Sequence, residues 1–216
     1  MTTGDVDSGD AAVYDGAALA ADGWATADAG ATYTKTGTYG TATLDTGTGV
    51  VSYALDNADT DTNALAQGAG VSDDFTVYVK DGSTGTASTA VNFAITGTND
   101  NPTVTAGAQS AQLVEAGVGT AGTASASIAL TTGDVDSGDA AVYDGAALAA
   151  DGWATADAGA TYTKTGTYGT ATLDTGTGVV SYALDNADTD TNALAQGAGV
   201  SDDFTVYVKD GSTGTA

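Results

Sequence analysis

The sequence contains itself. Residues 2–87 recur without a change at 131–216, a register shift of 129 residues, and residues 88–130, between the copies, occur once. A period of this length exceeds the roughly 20 to 50 residues of solenoid and propeller units and lies within the size range of a self-sufficient domain. Each period is therefore expected to fold around its own core. The chain spans one period and two-thirds of a second, and identity between the copies points to recent duplication within a longer array.

Alternation of apolar and polar residues predicts strands. Phe75, Val77 and Val79 share one face of Phe75–Lys80, and Val91, Phe93 and Ile95 one face of the segment that follows. Val51, Tyr53 and Leu55 alternate likewise, as do Ala126, Ile128 and Leu130. Thr38 to Leu55 reads as a hairpin closed by Asp45-Thr-Gly-Thr-Gly49, where glycine permits the positive φ of a tight turn. Asp81-Gly82 marks another turn. Asn63–Gln67 and Ala17–Ala21 suit either a helical turn or a loop. Short strands between Gly, Asp and Thr turns predict an all-β chain of tandem antiparallel Greek-key β-sandwich modules.

The sole proline, Pro102, follows Thr98-Asn-Asp-Asn101 between two strand patterns. The expected junction is thus 98–102, with residues 1–100 forming one module that lacks its first strands. Residues 101–216 form a second that lacks its last strand, the copy of Ser88–Gly97. Such modules expose unpaired sheet edges, and head-to-tail self-association by strand complementation is the expected consequence.

Composition narrows the chemistry. Cysteine and histidine are absent, so there are no disulfides and no imidazole for acid–base work or zinc. Arginine is absent too, and Lys35, Lys80, Lys164 and Lys209 are the only cationic side chains against 28 acidic ones, all Asp except Glu115. A net charge of −24 opposes binding to nucleic acid, whose phosphates require Lys and Arg, and to anionic membranes. The surplus of carboxylates either keeps the chain soluble or holds a hard divalent cation, which takes oxygen ligands; their clustering favours the cation. No apolar run approaches the roughly 20 residues that span a bilayer, and the first ten residues have neither the basic end nor the apolar run of a signal peptide.

Asp134-Val-Asp-Ser-Gly-Asp139, Tyr182-Ala-Leu-Asp-Asn-Ala-Asp188, Asp203-Phe-Thr-Val-Tyr-Val-Lys-Asp-Gly211 and Ile95-Thr-Gly-Thr-Asn-Asp-Asn-Pro102 resemble, in order and spacing, the VCBS repeat. The likeness covers nearly the whole period, although the period is longer than is usual for that family. It implies an immunoglobulin- or cadherin-like extender domain of a large adhesin, secreted to the bacterial cell surface by a type I route and serving adhesion and biofilm formation. It also implies Ca2+ at domain junctions. By resemblance, the linker residues Asn99, Asp100 and Asn101 supply ligands, the preceding module adds Asp56 and Asn57, with Asp59 a further candidate, and the following module adds Glu115, Asp134, Asp136 and Asp210. The residues themselves agree in one respect: alternate positions of an extended segment point the same way, so Asp134 and Asp136 can converge on one ion. Asp56-Asn57 and Asp81-Gly82 also suit plain turns that satisfy backbone N–H groups. The spaced ligands of an EF-hand and the glycine-rich calcium nonapeptide are absent.

Three functions compete. The first is a calcium-stiffened spacer whose neighbours are identical repeats. The second is an immunoglobulin-like or lectin-like module that itself recognises surface glycans through its loops and calcium; Trp24 and Trp153, each in an Asp-Gly-Trp-Ala context, could stack on a sugar, but in a sandwich with so few aromatics they suit the core better. The third, an enzyme, has no nucleophile paired with a base, and Gly82–Gly85 lacks the lysine and helix of a phosphate loop.

Overall fold

A computed structural model describes residues 3, 4, 6 and 10–211. The chain divides into two compact units, Met1–Asn99 and Asp100–Ala216. Both are mostly antiparallel β-structure with short helices. Among the described residues no helix is long and apolar enough to cross a membrane.

Unit 1 runs β1 (Val13–Tyr14), α1 (Gly16–Ala21), β2 (Thr32–Thr36), β3 (Gly40–Asp45), β4 (Val50–Leu55), α2 (Thr60–Asn63), β5 (Gly70–Lys80) and β6 (Thr86–Thr96). One sheet has the order β2-β3-β4 and the other β1-β5-β6. The hairpin read from sequence is β3–β4, paired from Gly40↔Leu55 to Asp45↔Val50. Its turn closes as Gly49 N donates to Asp45 O (2.8 Å), with Gly49 at φ +71°. Asp15 caps α1 by accepting from Ala17 N and Ala18 N, so Ala17–Ala21 is helical. The second helix is Thr60–Asn63, capped by Asp59, rather than Asn63–Gln67: the cap at Asp59 fixes the start and the chain leaves the helix at Ala64.

The core of unit 1 joins both sheets. Leu19 of α1, Trp24, Ala42 and Leu44 of β3, and Phe75 and Val77 of β5 form one buried cluster. The inward face predicted for β5 is observed, with Phe75 2% and Val77 1% exposed. Phe93 lies 4.9 Å from Tyr53, centroid to centroid, with the rings stacked, and meets Phe75 edge-on at 6.1 Å. Trp24 is buried and its indole N–H donates to Thr76 O (3.0 Å), which satisfies its one polar atom.

Unit 2 runs β7 (Thr103–Ala106), β8 (Ser125–Gly133), β9 (Val142–Tyr143), α3 (Gly145–Ala150), β10 (Thr161–Thr165), β11 (Gly169–Asp174), β12 (Val179–Leu184), α4 (Thr189–Asn192) and β13 (Val208–Lys209). Its large sheet has the order β10-β11-β12-β8-β7, while β13 pairs with β9. The repeated segments keep their registers, since β13 on β9 reproduces β5 on β1. The indole N–H of Trp153 likewise donates to Thr205 O.

The single-copy residues make the difference between the units. In unit 2, β8 pairs along β12 from Val179↔Ala129 to Ala183↔Ser125. In unit 1 no described strand lies beside β4 except β3, and there Val50 and Leu55 are exposed, whereas their copies Val179 and Leu184 are half-buried. The inward position expected for Leu55 is therefore reached only where β8 covers the strand. The reverse holds for β5. Its copy, 199–209, has no described partner equivalent to β6, and only Val208–Lys209 is laddered. Phe204 and Val206 remain half-buried where Phe75 and Val77 are buried.

Identical sequence in unequal ladders gives a direct test by hydrogen exchange. Amides of 179–184 are expected to exchange more slowly than those of 50–55, and amides of 70–80 more slowly than those of 199–207, because ladder pairing sets local protection. Equal protection of the copies would contradict the pairing described.

Candidate metal-binding groups at the strand ends

In unit 2 the chain leaves β8 at Gly133 and enters an acidic turn. Asp136 N donates to Asp134 Oδ1 (3.0 Å), and Asp100 N donates to Asp136 Oδ2 (2.8 Å), so the segment before Pro102 is tied to the turn. Gly138, at φ +90°, reverses the chain, and Asp139 N then donates to Asp136 O (3.2 Å). Asp210 follows β13, and its neighbour Gly211 abuts Asp139: a Cβ at Gly211 would lie 3.4 Å from Asp139 Oδ1. Asp100, Asp134, Asp136, Asp139 and Asp210 are thus gathered at one end of the unit.

Two of these are nearly enclosed, Asp136 at 3% and Asp210 at 6% exposure. Asp134 Oδ2 and Asp136 Oδ1 are buried and accept no hydrogen bond from the described residues. An unsatisfied buried polar atom costs about 1–3 kcal/mol, and more when charged. Any approach of two carboxylates to about 4 Å adds mutual repulsion of on the order of 1 kcal/mol in water and more near protein. A divalent cation between them would remove both costs. Among the described residues no three acidic side chains stand together in metal-holding geometry. A bound ion would draw its remaining oxygens from backbone carbonyls, the Asn101 side chain or water, as the six- to eight-oxygen shell of calcium permits.

Glu115 lies elsewhere. Val114 and Thr123 exchange backbone hydrogen bonds just before β8 begins, and Ala116 N donates to Asn186 Oδ1 (2.9 Å). Leu184 N donates to Ala124 O (2.8 Å), which places Asp185-Asn186 at the same end. Nine residues of β8 separate this end from Asp134, roughly 30 Å at about 3.3 Å per residue. Within unit 2, Glu115 cannot share an ion with Asp134 and Asp136, contrary to the grouping drawn from sequence. It stands with Asp185 and Asn186, the copies of Asp56 and Asn57.

In unit 1, Asp56 and Asn57 are exposed, and Asp56 Oδ1 accepts from Ala58 N (3.0 Å), the turn alternative raised for it. Asp59 Oδ1 accepts from Asp61 N (2.8 Å) as the cap of α2. Asp81 Oδ1 accepts from Ser83 N and Gly85 N (both 2.8 Å), again a turn. Asn99 is half-buried, and its N–H donates to Gln67 Oε1 (3.1 Å). The copies of Asp134 and Asp136 in unit 1, residues 5 and 7, lie outside the described residues.

A different buried carboxylate was not anticipated from sequence. Asp73, 5% exposed, accepts from Thr38 N (2.9 Å), Tyr39 N (3.0 Å) and the Tyr53 hydroxyl (2.6 Å). Asp202 repeats these contacts with Thr167, Tyr168 and Tyr182. A Cβ at Gly37 would collide with the Asp73 carboxylate, which explains glycine at that position. Burial pushes the Asp73 carboxyl up, but the tyrosine hydroxyl and the two backbone donors outweigh it and hold it below the usual value. Burial, reinforced by its hydrogen bond to the Asp73 carboxylate and by that charge, raises the Tyr53 hydroxyl. The available signal was the pairing of this aspartate with Gly37-Thr-Tyr39, 34 to 36 residues away, which no local pattern reveals.

The tryptophans offered as sugar platforms are core residues, 2% and 3% exposed. A cavity of about 470 Å³ in unit 2 is lined by Tyr143, Tyr162, Leu130 and Thr175–Gly178. Among its donors, Thr175 Oγ1 is engaged with Gly159 O and Ala160 O, and Gly176 N and Thr177 N with Asp174 Oδ1. The four lysines pair with Asp22, Asp15, Asp151 and Asp144 at 2.7–3.7 Å. Neither the comparison with protein-family descriptions nor that with curated proteins gives a match for this sequence.

Asp73→Asn keeps the shape but turns one N–H donor toward the donors of the loop. In a Trp153→Phe background, where Trp24 alone reports, this change should lower the stability of unit 1 by about 2 kcal/mol in urea. An unchanged midpoint would show that the carboxylate is dispensable. The acid limb follows from the signs of the shifts. Asp28 and Asp157, held down to about 2 chiefly by the hydroxyls and N–H groups of Thr32 and Thr161, and Asp73 and Asp202, have folded values below 3.8. Their stabilisation is full above about pH 4 and is lost as pH falls through the folded values toward about 2. Circular dichroism should therefore show unfolding that begins below about pH 4, and stability that is flat with pH in that window would contradict the assignments.

Proposed function

We propose that the chain is a pair of VCBS-type modules, Greek-key β-sandwiches of immunoglobulin or cadherin-like design, and that it serves as a calcium-stiffened extender of a bacterial surface adhesin rather than as an enzyme. The observation that carries the calcium reading is the pair of buried oxygens without donors, Asp134 Oδ2 and Asp136 Oδ1, in a turn joined through Asp100 to the segment before Pro102. A single core cluster drawn from two sheets supports a sandwich. The exact repeat supports a spacer, since length grows with copy number while a specific binding site does not require duplication. Calcium suits the donor set better than magnesium, because a large and flexible shell tolerates mixed carboxylate, carbonyl and amide oxygens, whereas magnesium requires a strict octahedron. In this reading ions at the strand ends restrict the angles available to residues 98–102, aided by the fixed φ of Pro102. Burial of both tryptophans removes them as sugar-stacking surfaces.

Thermal unfolding tests the proposal. Calcium at a hundredfold excess over its Kd should stabilise the folded chain by about 2.7 kcal/mol, as any ligand that binds only the folded state does. The melting temperature should rise in calcium, and magnesium at equal concentration should reproduce little of that rise. Superimposable melting curves in EDTA and in millimolar calcium would overturn the proposal.

A further inference from the structure

The turn between β11 and β12 forms one wall of the cavity in unit 2. Gly176 N and Thr177 N donate to Asp174 Oδ1 (both 2.9 Å), and Gly178 N donates to Asp174 O (2.9 Å). Gly178 O accepts from Leu130 N of β8 (2.7 Å), and Thr175 N donates to Ala160 O (3.0 Å), so the turn is tied both to β8 and to the loop before β10. A wall fixed in this way lowers the ordering cost of binding. Tyr143 of β9 and Tyr162 of β10 add the aromatic surface. β9 corresponds to β1, which in unit 1 stands across β5 from β6, so the cavity owes nothing to the edge on which β6 pairs.

Both tyrosine hydroxyls stand beside glycines of the lining. A Cβ at Gly178 would lie 3.1 Å from the Tyr143 hydroxyl, and one at Gly159 would lie 3.0 Å from that of Tyr162. The two glycines have φ of +70° and +93°, a conformation that side chains rarely adopt, so both the backbone and the space around the hydroxyls call for glycine. Among the described residues neither hydroxyl has a hydrogen-bond partner. Burial raises the Tyr143 hydroxyl above its ordinary value, as a partly dehydrated position requires. The lining carries no charged side chain, although the chain has 28 acidic residues. At about 470 Å³ the cavity falls within the roughly 300–1,000 Å³ of small-molecule sites.

We propose that this cavity binds a neutral pyranose sugar, with the Tyr143 and Tyr162 rings against its C–H face and their hydroxyls bonded to its hydroxyl groups. Charge selects the class. A cation finds no carboxylate in the lining, and an anion is repelled by the chain's net charge of −24. Chemistry narrows it further. An aromatic ring presents an apolar body and a tyrosine adds a polar tip, which matches a ligand that is apolar on one face and rich in hydroxyls at its rim. A purely apolar ligand would leave both tyrosine hydroxyls unpaired in a dehydrated site, at a cost. The site uses neither Asp134 nor Asp136, so its failure leaves the calcium reading untouched, and failure of that reading leaves the site standing.

The test titrates the full chain with the methyl glycosides of glucose, mannose, galactose and N-acetylglucosamine, read by saturation-transfer difference NMR and isothermal titration. At least one should bind saturably, and methyl glucuronide, which carries a carboxylate, should not. Tyr143→Phe with Tyr162→Phe keeps both rings, removes both hydroxyls and should weaken binding about tenfold or more. Ala141 borders the cavity, and Ala141→Phe, which fills it without touching either hydroxyl, should abolish binding. Both variants are judged in chains whose circular dichroism matches the parent. Saturable binding of none of the four neutral glycosides, equal binding of the glucuronide, or undiminished affinity in either variant would each overturn the proposal.

Discussion

Neither sheet system of this chain can be completed from the repeated 86 residues alone, and the rest of the structure follows from that constraint. The single-copy stretch is divided. Most of β6 belongs to it and goes to unit 1, while β7 and most of β8 come from it and go to unit 2. A sheet is stabilised by cross-strand neighbours, so a segment of fixed sequence is a well-covered strand or an exposed edge according to whether its partner is present. Val50 and Val179 show this for one sheet, and Phe75 and Phe204 for the other. The repeat in sequence and the unit in structure are thus out of phase, and the division between units falls within the single-copy stretch.

Two kinds of buried or half-buried aspartate divide the electrostatics. Asp73 and Asp202 are surrounded by donors, and three hydrogen bonds to each outweigh the cost of burying its charge, so the carboxylate serves the fold unaided. Asp134 and Asp136 each use one oxygen on a backbone N–H and leave the other buried without a donor among the described residues. The four lysines do not alter this balance, because all of them are engaged with other aspartates in pairs of the surface kind, which contribute little. The contrast makes the second pair, rather than acidity in general, the reason to look for a cation.

Much of the fold was legible because it rests on local alternation. Phe75 and Val77, the β3–β4 hairpin and the tryptophan cores all follow from the period-two pattern and from the scarcity of aromatic residues. What was not legible depends on pairing across distance. Asp73 gains its role from donors at Thr38, Tyr39 and Tyr53, and nothing beside it in sequence distinguishes it from exposed Asp74. The grouping of Glu115 failed for the same reason: sequence order places it near Asp134, but β8 runs between them and carries them to opposite ends. Asp139 lay inside a motif already singled out, and only the reversal at Gly138 turns it back toward Asp136.

The central claim is that Asp134 and Asp136 hold a divalent cation, and the most direct measurement is isothermal titration of calcium into the full chain beside the double variant Asp134→Asn with Asp136→Asn. Both substitutions preserve shape and one acceptor oxygen while removing the charge. The account predicts that the variant keeps the β signature of the parent in circular dichroism and binds at least one fewer calcium ion per chain. Equal stoichiometry and affinity in the two proteins would contradict it and leave this pair as residues of an ordinary turn.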